Sequence, residues 1–466
     1  MHDLQQLMMG MKAASNETPS GIVDLDDAAI EEWAYASGLV VWIWGLPLLR
    51  FEQFRRLMSL LDAPAENLPY APIGQLGHMR SLPTWESVMP FTPNVDTLYS
   101  GSICELDHAP AVFIAPAMPD RYWSLEIADA FLANQPYLGT RTTGTDAGAW
   151  LLVGPDWEGE VPEGLTLYRS RSSSVMLALR IHIEGESDTP EVVRAQHGFR
   201  LTTIEGFLDG SHRPAPKMEP VLAPPVDHDI AYFTTLCELL DRNPPQAGDG
   251  SVVALLGHLG LEPGRRIDPD AIRPPVRRGL ARAAAEGPRI IGWKVKHRGR
   301  KNATMWNVDL VGGSYGDDHL ARAEGAIQGL FVHDPEECIY FHTYHSGDGE
   351  LLDGSSTYTL HFDATQLARV HPFGFWSITG YDPKFTLVRN DAHRYAVQSG
   401  DGDLNFDPDG GLTIVIGPDR PAQHEANWIA TCPGELFRLN YRIYLPTDEM
   451  LDIDRIDRFL PPVVRR

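Results

Sequence analysis

The segment "VMLALRIHIEG" at 175–185 constrains the fold more than any other. Val175, Leu177, Leu179, Ile181 and Ile183 alternate with Arg180, His182 and Glu184, and in an extended chain successive side chains point to opposite faces. The stretch therefore reads as a β-strand whose unbroken aliphatic face must pack on a second layer. Its other face carries a cation, an imidazole and a carboxylate, which must go either to water or to a polar cavity. The same period recurs in "RYWSLEIAD" at 121–129, where Trp123, Leu125 and Ile127 alternate with Tyr122, Ser124 and Glu126.

Elsewhere the pattern changes to helices and back. Residues 24–61 start on acidic residues suited to a helix N-terminus, and Gly45 and Pro47 are expected to break that helix. Trp33, Tyr35, Trp42 and Trp44 fall at helical spacing and read as core. Residues 187–208 read as one helix, 210–226 as a Pro-rich connector, 228–286 as three helical pieces and 317–331 as a further helix. The last third returns to short strands at 356–363, 374–382, 411–417 and 436–446, with "DPDGG" as a hairpin-type turn before the third. A length of 466 residues suits two or three domains. The expected fold is mainly β with helical insertions, an α+β multidomain chain. A helical lead-in (1–70), an N-terminal β domain (71–215), a helical connector (216–335) and a C-terminal β domain (336–466) follow one another, both β domains being antiparallel sandwiches of jelly-roll type.

The net charge of −24 repels phosphate backbones, so nucleic acid is not an expected partner. The single basic run, "PRIIGWKVKHRGRK" at 288–301, reads as a solvated loop rather than an anion site. Cys104, Cys237, Cys338 and Cys432 show neither a CxxC nor a disulfide framework. The N-terminus lacks the pattern of a secretory leader and no apolar run reaches ~18 residues. A cytoplasmic location with no membrane partner is the expectation. No phosphate loop, dinucleotide fingerprint or GxSxG elbow is present, and His342 and His345 would face opposite sides of a strand, so neither cofactor nor metal is expected.

Three further segments could carry chemistry. "PFTPNVDTLYSGS" at 90–102 is either a tight turn or a means of presenting Asn94, Asp96 and Tyr99 to a ligand. Arg141, in the hydroxyl-rich run 140–145, could hold a carboxylate or a sugar, though Thr is also an ordinary strand residue. Arg394, Asn427 and Trp428 could form a sugar or carboxylate clamp, or simply a buried Trp with a capping Asn.

Several of these motifs resemble a known pair of domains. "TPNVDTLYS" (92–100), "DRYWSLEIADAF" (120–131), "YLGTRTTGTDAG" (137–148), "LLVGPDWEGEVP" (151–162) and "FRLTTIEGF" (199–207) are similar to domain of unknown function 1254. "LDGSSTYTLHF" (352–362), "FGFWSITGYD" (373–382), "DGGLTIVIG" (409–417) and "EANWIATCPGELFRLNYRIYLP" (425–446) resemble domain of unknown function 1214. The resemblance implies two β-rich domains joined through helices, with no agreed reaction or cofactor. It places the polar signature on Asn94, Asp96, Thr97, Tyr99, Arg121, Tyr122, Arg141, Thr142, Gly144, Arg180, Trp376, Arg394, Tyr395, Asn427, Trp428 and Arg442. The chain departs from that pattern near His371 and His393.

The leading expectation is a cofactor-independent hydrolase or lyase acting on a small polar or anionic molecule. Asp96 or Glu126 would be the general acid/base, His182 a proton carrier, and Arg141 and Arg180 the holders of substrate charge, with Asn94, Tyr99 and Tyr122 beside them. The rival is a protein that binds a carbohydrate or carboxylate through Trp376, Arg394, Asn427 and Trp428 without catalysis. A third reading is a structural homo-oligomer.

Overall fold

The structure, a computed structural model, describes residues 22–87, 92–218, 229–329 and 331–466. The N-terminal stretch tested for a leader, Pro90 and Phe91 of the polar turn, and 219–226 of the Pro-rich connector lie outside the described residues. Among the described residues, 19 strands form four sheets accompanied by seven α-helices, so the chain is mainly β with helices.

In the N-terminal β region the strands are β1 (Gly77–His78), β2 (Thr97–Glu105), β3 (Ala111–Ala115), β4 (Trp123–Asp129), β5 (Leu138–Gly139), β6 (Gly148–Val153), β7 (Thr166–Arg169), β8 (Ser174–His182) and β9 (Arg200–Thr202). They form two sheets, ordered β1-β2-β8-β4-β5 and β7-β6-β3-β9. The aliphatic face of β8 finds its second layer here: Leu177, Leu179 and Ile181, with Trp123, Leu125 and Ile127 of β4, share one core with Phe113, Trp150 and Leu152 of the other sheet.

The C-terminal region repeats this logic with β10 (Arg300–Lys301), β11 (Asn307–Val308), β12 (Cys338–Thr343), β13 (Tyr358–Phe362), β14 (Trp376–Tyr381), β15 (Ala396–Gln398), β16 (Leu412–Gly417), β17 (Trp428–Ala430), β18 (Arg438–Tyr444) and β19 (Val463–Arg465). The sheets run β10-β11-β12-β18-β14-β15 and β17-β16-β13-β19, around a core that includes Phe341, Ile378, Leu439, Tyr441 and Ile443 from the first and Leu360, Phe362 and Ile414 from the second. Gly410, at φ 84°, makes the expected turn ahead of β16 in a backbone region that L side chains avoid.

The helices are α1 (Ile22–Ser59), α2 (Thr189–Gln196), α3 (Ile204–Leu208), α4 (Ile230–Leu239), α5 (Gly250–His258), α6 (Pro274–Lys296) and α7 (His319–Gln328). The chain divides into two compact units: Met1–Ile43 with Pro225–Ile290, and Trp44–Pro224 with Ile291–Arg466, the second holding all four sheets. In the helical unit Trp42 stacks on Tyr232 with ring centroids 5.2 Å apart.

Five local expectations are corrected. Helix α1 runs through Gly45 and Pro47; an interior Pro costs ~3 kcal/mol, but Trp44, Leu46, Leu48 and Leu49 around it are all buried, and that packing offsets the loss. The same helix has one stretch long and apolar enough to cross a membrane, where none was expected, and 67% of that stretch is buried within the protein. The helix expected over 187–208 is split: past Gly198, Phe199 and Leu201 enter the core at strand spacing and β9 pairs with β3, before Thr203 caps α3 by accepting the Gly206 N–H at 3.0 Å. The basic run 288–301 is largely exposed, as expected, but it is not a loop, because α6 continues to Lys296; Arg298 is held by Asp309 and Glu324. Of the aromatic run, Trp42 and Trp44 are core, whereas Trp33 is 49% exposed.

Candidate functional site

Strand register puts the polar alternates on shared faces. Tyr99 and Ser124 both lie opposite Arg180, Thr97 lies opposite His182 and Glu126 opposite Ala178, so these side chains occupy the face of the N-terminal sheet away from its core. In the C-terminal sheet Arg442 lies between Tyr340 and Ser377, Asn440 between His342 and Thr379, and Arg438 opposite Tyr381. The two polar faces meet. Asn94 Nδ2 donates to the Tyr444 hydroxyl at 2.6 Å, the Ser377 hydroxyl donates to Asp96 Oδ2, and the Tyr122 ring packs edge-on against Phe375 and Tyr444. Arg180 and His182 are thus buried where the two polar sheet faces meet, and only Glu184 of the ladder reaches solvent.

Within this junction is a cavity of about 180 Å³. Asn94, Tyr99 and Arg180 line it from the N-terminal β region, and Tyr340, His342, Arg438, Asn440, Arg442 and Tyr444 from the C-terminal one. Phe54, Met58, Met79, Met176 and Phe331 give it an apolar wall. Gly101 lets the chain pass closely on this wall, since a Cβ there would sit 2.4 Å from the Pro69 carbonyl oxygen.

The cations on the wall are not equally matched. Arg180 Nη1 donates to Glu126 Oε2 at 2.5 Å, Nη2 to the Phe331 carbonyl at 2.7 Å and Nε to the Tyr99 hydroxyl at 3.0 Å. Arg438 Nη1 donates to the Tyr344 hydroxyl at 2.8 Å and its guanidinium lies 4.4 Å from the Phe385 ring centroid; burial, then the neighbouring Arg442, hold it below the usual guanidinium range. Arg442 is buried, donates only a long 3.4 Å bond to Thr379 Oγ1, and has no carboxylate within 4.0 Å among the described residues. Beside it Asn440 Oδ1, an acceptor, is buried without a hydrogen-bond partner. Burial disfavours the Arg442 charge, but the nearby Tyr381 hydroxyl and Asp96 carboxylate more than offset this and hold the guanidinium above its usual range.

The expected acids and bases sit behind this wall. Asp96 is wholly buried, its N–H accepted by Asn94 Oδ1 at 2.5 Å; burial raises its carboxyl, opposed by Arg442 and Ser377, and Oδ1 has no partner. Glu126 is pushed up to about 7 by burial against the pull of Arg180, with His333 Nδ1 3.2 Å away. His182 stacks on Phe375 at 3.8 Å, and Phe375 on Tyr444 at 4.2 Å, so the imidazole is separated from the cavity by a ring; burial and then Arg121 push it down to about 4. The exposed Arg141 donates from Nε to Glu337 Oε2 at 2.6 Å, and the buried Tyr122 donates to Glu337 Oε1 at 2.7 Å, forming a separate cluster around the buried Glu337 carboxyl. Asp96, Arg141, Arg180 and His182 therefore do not converge on one cavity; Arg180, Asn94 and Tyr99 reach it.

The C-terminal clamp residues are bonded elsewhere. Trp376 belongs to the C-terminal core. Asn427 Nδ2 donates to the carbonyls of Asn405 (2.7 Å) and Thr413 (3.0 Å) while Oδ1 accepts from the Asn405 N–H (3.0 Å), which uses the whole amide. Trp428 Nε1 donates to the Gly417 carbonyl at 2.9 Å, and Arg394 Nε donates to the Trp428 carbonyl at 3.3 Å. His342 accepts from Asn307 Nδ2 at 2.8 Å, and His345 lies near Lys301. Among the described residues no group of three His, Cys, Asp or Glu side chains is placed to hold a metal ion.

Sequence reasoning did not single out Arg438, Asn440, Tyr444 or Tyr340. The signal was available: "LFRLNYRIYLP" at 436–446 alternates Leu439, Tyr441 and Ile443 with Arg438, Asn440, Arg442 and Tyr444, the same two-faced pattern as β8.

No curated protein matches the chain. The VPA0106 protein of Vibrio parahaemolyticus shares the fold, with a TM-score of 0.70 at 21% identity over 94% of this chain and 100% of that one. An uncharacterised protein of Burkholderia cenocepacia aligns with a TM-score of 0.41 at 12% identity, over 93% of this chain and 95% of that one. Two family models match, each described as a protein of unknown function: DUF1254 over residues 73–203 and DUF1214 over 337–448. The chain belongs to the family that joins these two domains in this order.

Proposed function

We propose that the interdomain cavity is a binding site for a small anionic molecule, with Arg442 as its anchor. The observation that carries this is the Arg442 guanidinium, buried on the cavity wall with one long hydrogen bond and, among the described residues, no carboxylate within 4.0 Å. An anion there would accept charge-assisted hydrogen bonds from the Arg442 guanidinium on the cavity wall. We read each pair of sheets around its shared core as a β-sandwich, so that two rigid frames hold the donors in place.

Turnover is the second reading, favoured by Glu126. A carboxyl pushed up to about 7 can exchange a proton at neutral pH, and it touches Arg180, which does reach the cavity. In this reading the tyrosine hydroxyls on the wall, not His182, pass the proton. The test is thermal stabilisation by a panel of small anions, with wild type beside Arg442→Met. Stabilisation of wild type and its loss in the variant is the expected outcome; equal stabilisation of both would sink the assignment. Incubating a stabilising anion with the protein and following its NMR spectrum separates binding from turnover.

A further inference from the structure

We infer that the ligand carries two anionic groups, one met by Arg442 and the other by Arg438, an inference that rests on the anion-site reading above. Among the described residues four arginines line the cavity. Arg180 is in contact with Glu126, and Arg298 with Asp309 and Glu324. Neither Arg438 nor Arg442 has a carboxylate within 4.0 Å among the described residues. Arg442 has Asp96 behind it as a counter-charge at longer range. Arg438, equally buried, relies instead on the Tyr344 hydroxyl and on aromatic rings. Its Nη1 alone is hydrogen-bonded, and its Nε is buried without a partner. Of the four guanidiniums, this one is the least matched by its surroundings.

The geometry lets one molecule serve both. Arg438 and Arg442 lie four residues apart on the same face of β18, which sets their Cα atoms roughly 13 Å apart. Their guanidinium carbons nevertheless lie 5.9 and 5.4 Å from the centroid of a single ring, Tyr381, so the two heads lean towards one another. Like charges drawn together out of water repel. After burial, Arg442 is indeed one of the groups that hold Arg438 below the usual guanidinium range. One negative charge at Arg442 would leave Arg438 short of an anion in contact. A second anionic group on the same molecule meets it, and accepts charge-assisted hydrogen bonds from a fork already positioned by Tyr344 and Phe385.

Calorimetric titration tests this on wild type, Arg438→Met and Arg442→Met, with succinate, glutarate and adipate set beside butyrate, valerate and hexanoate, and with inorganic phosphate. Each dicarboxylate has a monocarboxylate partner of the same carbon count, so the comparison isolates the second charge. A further charge-assisted contact strengthens binding by at least about tenfold, and the best dicarboxylate should exceed its partner by that factor. Arg438→Met should cost that dicarboxylate at least about tenfold more affinity than it costs the partner. Arg442→Met should abolish binding of both. Dicarboxylates no tighter than their partners, phosphate tighter than every dicarboxylate, or an equal loss of both classes in Arg438→Met overturns the two-group ligand while leaving the anion site in place. The wild-type ranking decides the question even where Arg438→Met does not fold. No binding of any probe to wild type, or binding that Arg442→Met leaves unchanged, overturns both.

Discussion

Replacing Glu126 with Gln isolates one buried proton. In the folded protein the Glu126 carboxyl is held near 7, against 4.5 for an exposed glutamate. Between those values the folded state keeps a proton that the unfolded chain has released. Stability from this group is therefore complete below pH 4.5, falls as pH rises through the window, and levels off above about 7. At about 1.4 kcal/mol for each pH unit crossed, the loss is about 3 kcal/mol. Glu126 is wholly buried, so little of this is screened by solvent. Glu126→Gln keeps the shape and an oxygen to accept from Arg180 but cannot titrate. Urea unfolding at pH 5 and pH 8 should show wild type losing about 3 kcal/mol relative to the variant on going to the higher pH. The buried imidazole of His182, pushed down to about 4, works in the opposite sense: its contribution is present above 6.5 and disappears as pH falls toward 4. Because it occurs in both proteins, it cancels in the difference. A gap between wild type and Glu126→Gln that stays constant with pH, or that shifts in favour of wild type at pH 8, would refute the reasoning by showing that Glu126 behaves as an ordinary ion-pair carboxylate.

Other perturbations separate ligand contacts from scaffolding. Arg442→Met should lower the stability of the ligand-free protein by about 1–3 kcal/mol in chemical unfolding, since it removes the cation that opposes the desolvation of the buried Asp96 carboxyl; a gain of similar size would mean that the surroundings do not stabilise the Arg442 charge. Asn94→Ala should cost about 1–3 kcal/mol, because it removes the partner of the Asp96 N–H and of the Tyr444 hydroxyl in one step, and should also weaken anion binding in calorimetry. Asn427→Ala should destabilise to a similar degree while leaving anion affinity within twofold, and a selective loss of binding would return that residue to a ligand site. Leu179→Ala, in the N-terminal core, should cost about 2–5 kcal/mol by thermal unfolding without altering the order of preference among anions.

The layered core was legible because period-two alternation fixes which residues turn inward, as Leu177, Leu179 and Ile181 do. The same reasoning marked Arg180, Tyr99 and Asn94, which reach the cavity. It gave no means of matching one polar face to another across hundreds of residues, so the Ser377 hydroxyl on Asp96 and the ring between His182 and the cavity were invisible. Both depend on how two sheets dock, which local pattern does not encode. Helix α1 failed in the other direction: Gly45 and Pro47 are strong local breakers, and only the burial of their neighbours reveals why the helix continues. Asn427 and Trp428 looked like a clamp because polar residues near an aromatic suit either a ligand or a backbone carbonyl, and the backbone took them.

The cavity wall draws on residues near 54, 99, 180, 340 and 442, and that spread has a kinetic consequence. Each sheet pair can gather its core from segments within one half of the chain, but the proposed anion site would form only after the two halves have found each other. Contacts of such sequence separation close slowly and late. During refolding, recovery of buried tryptophan signal should therefore precede recovery of anion binding, and a fragment holding one half alone should fold its strands yet be blind to the ligand. The molecule's competence to bind is thus a clock reading on its last folding event.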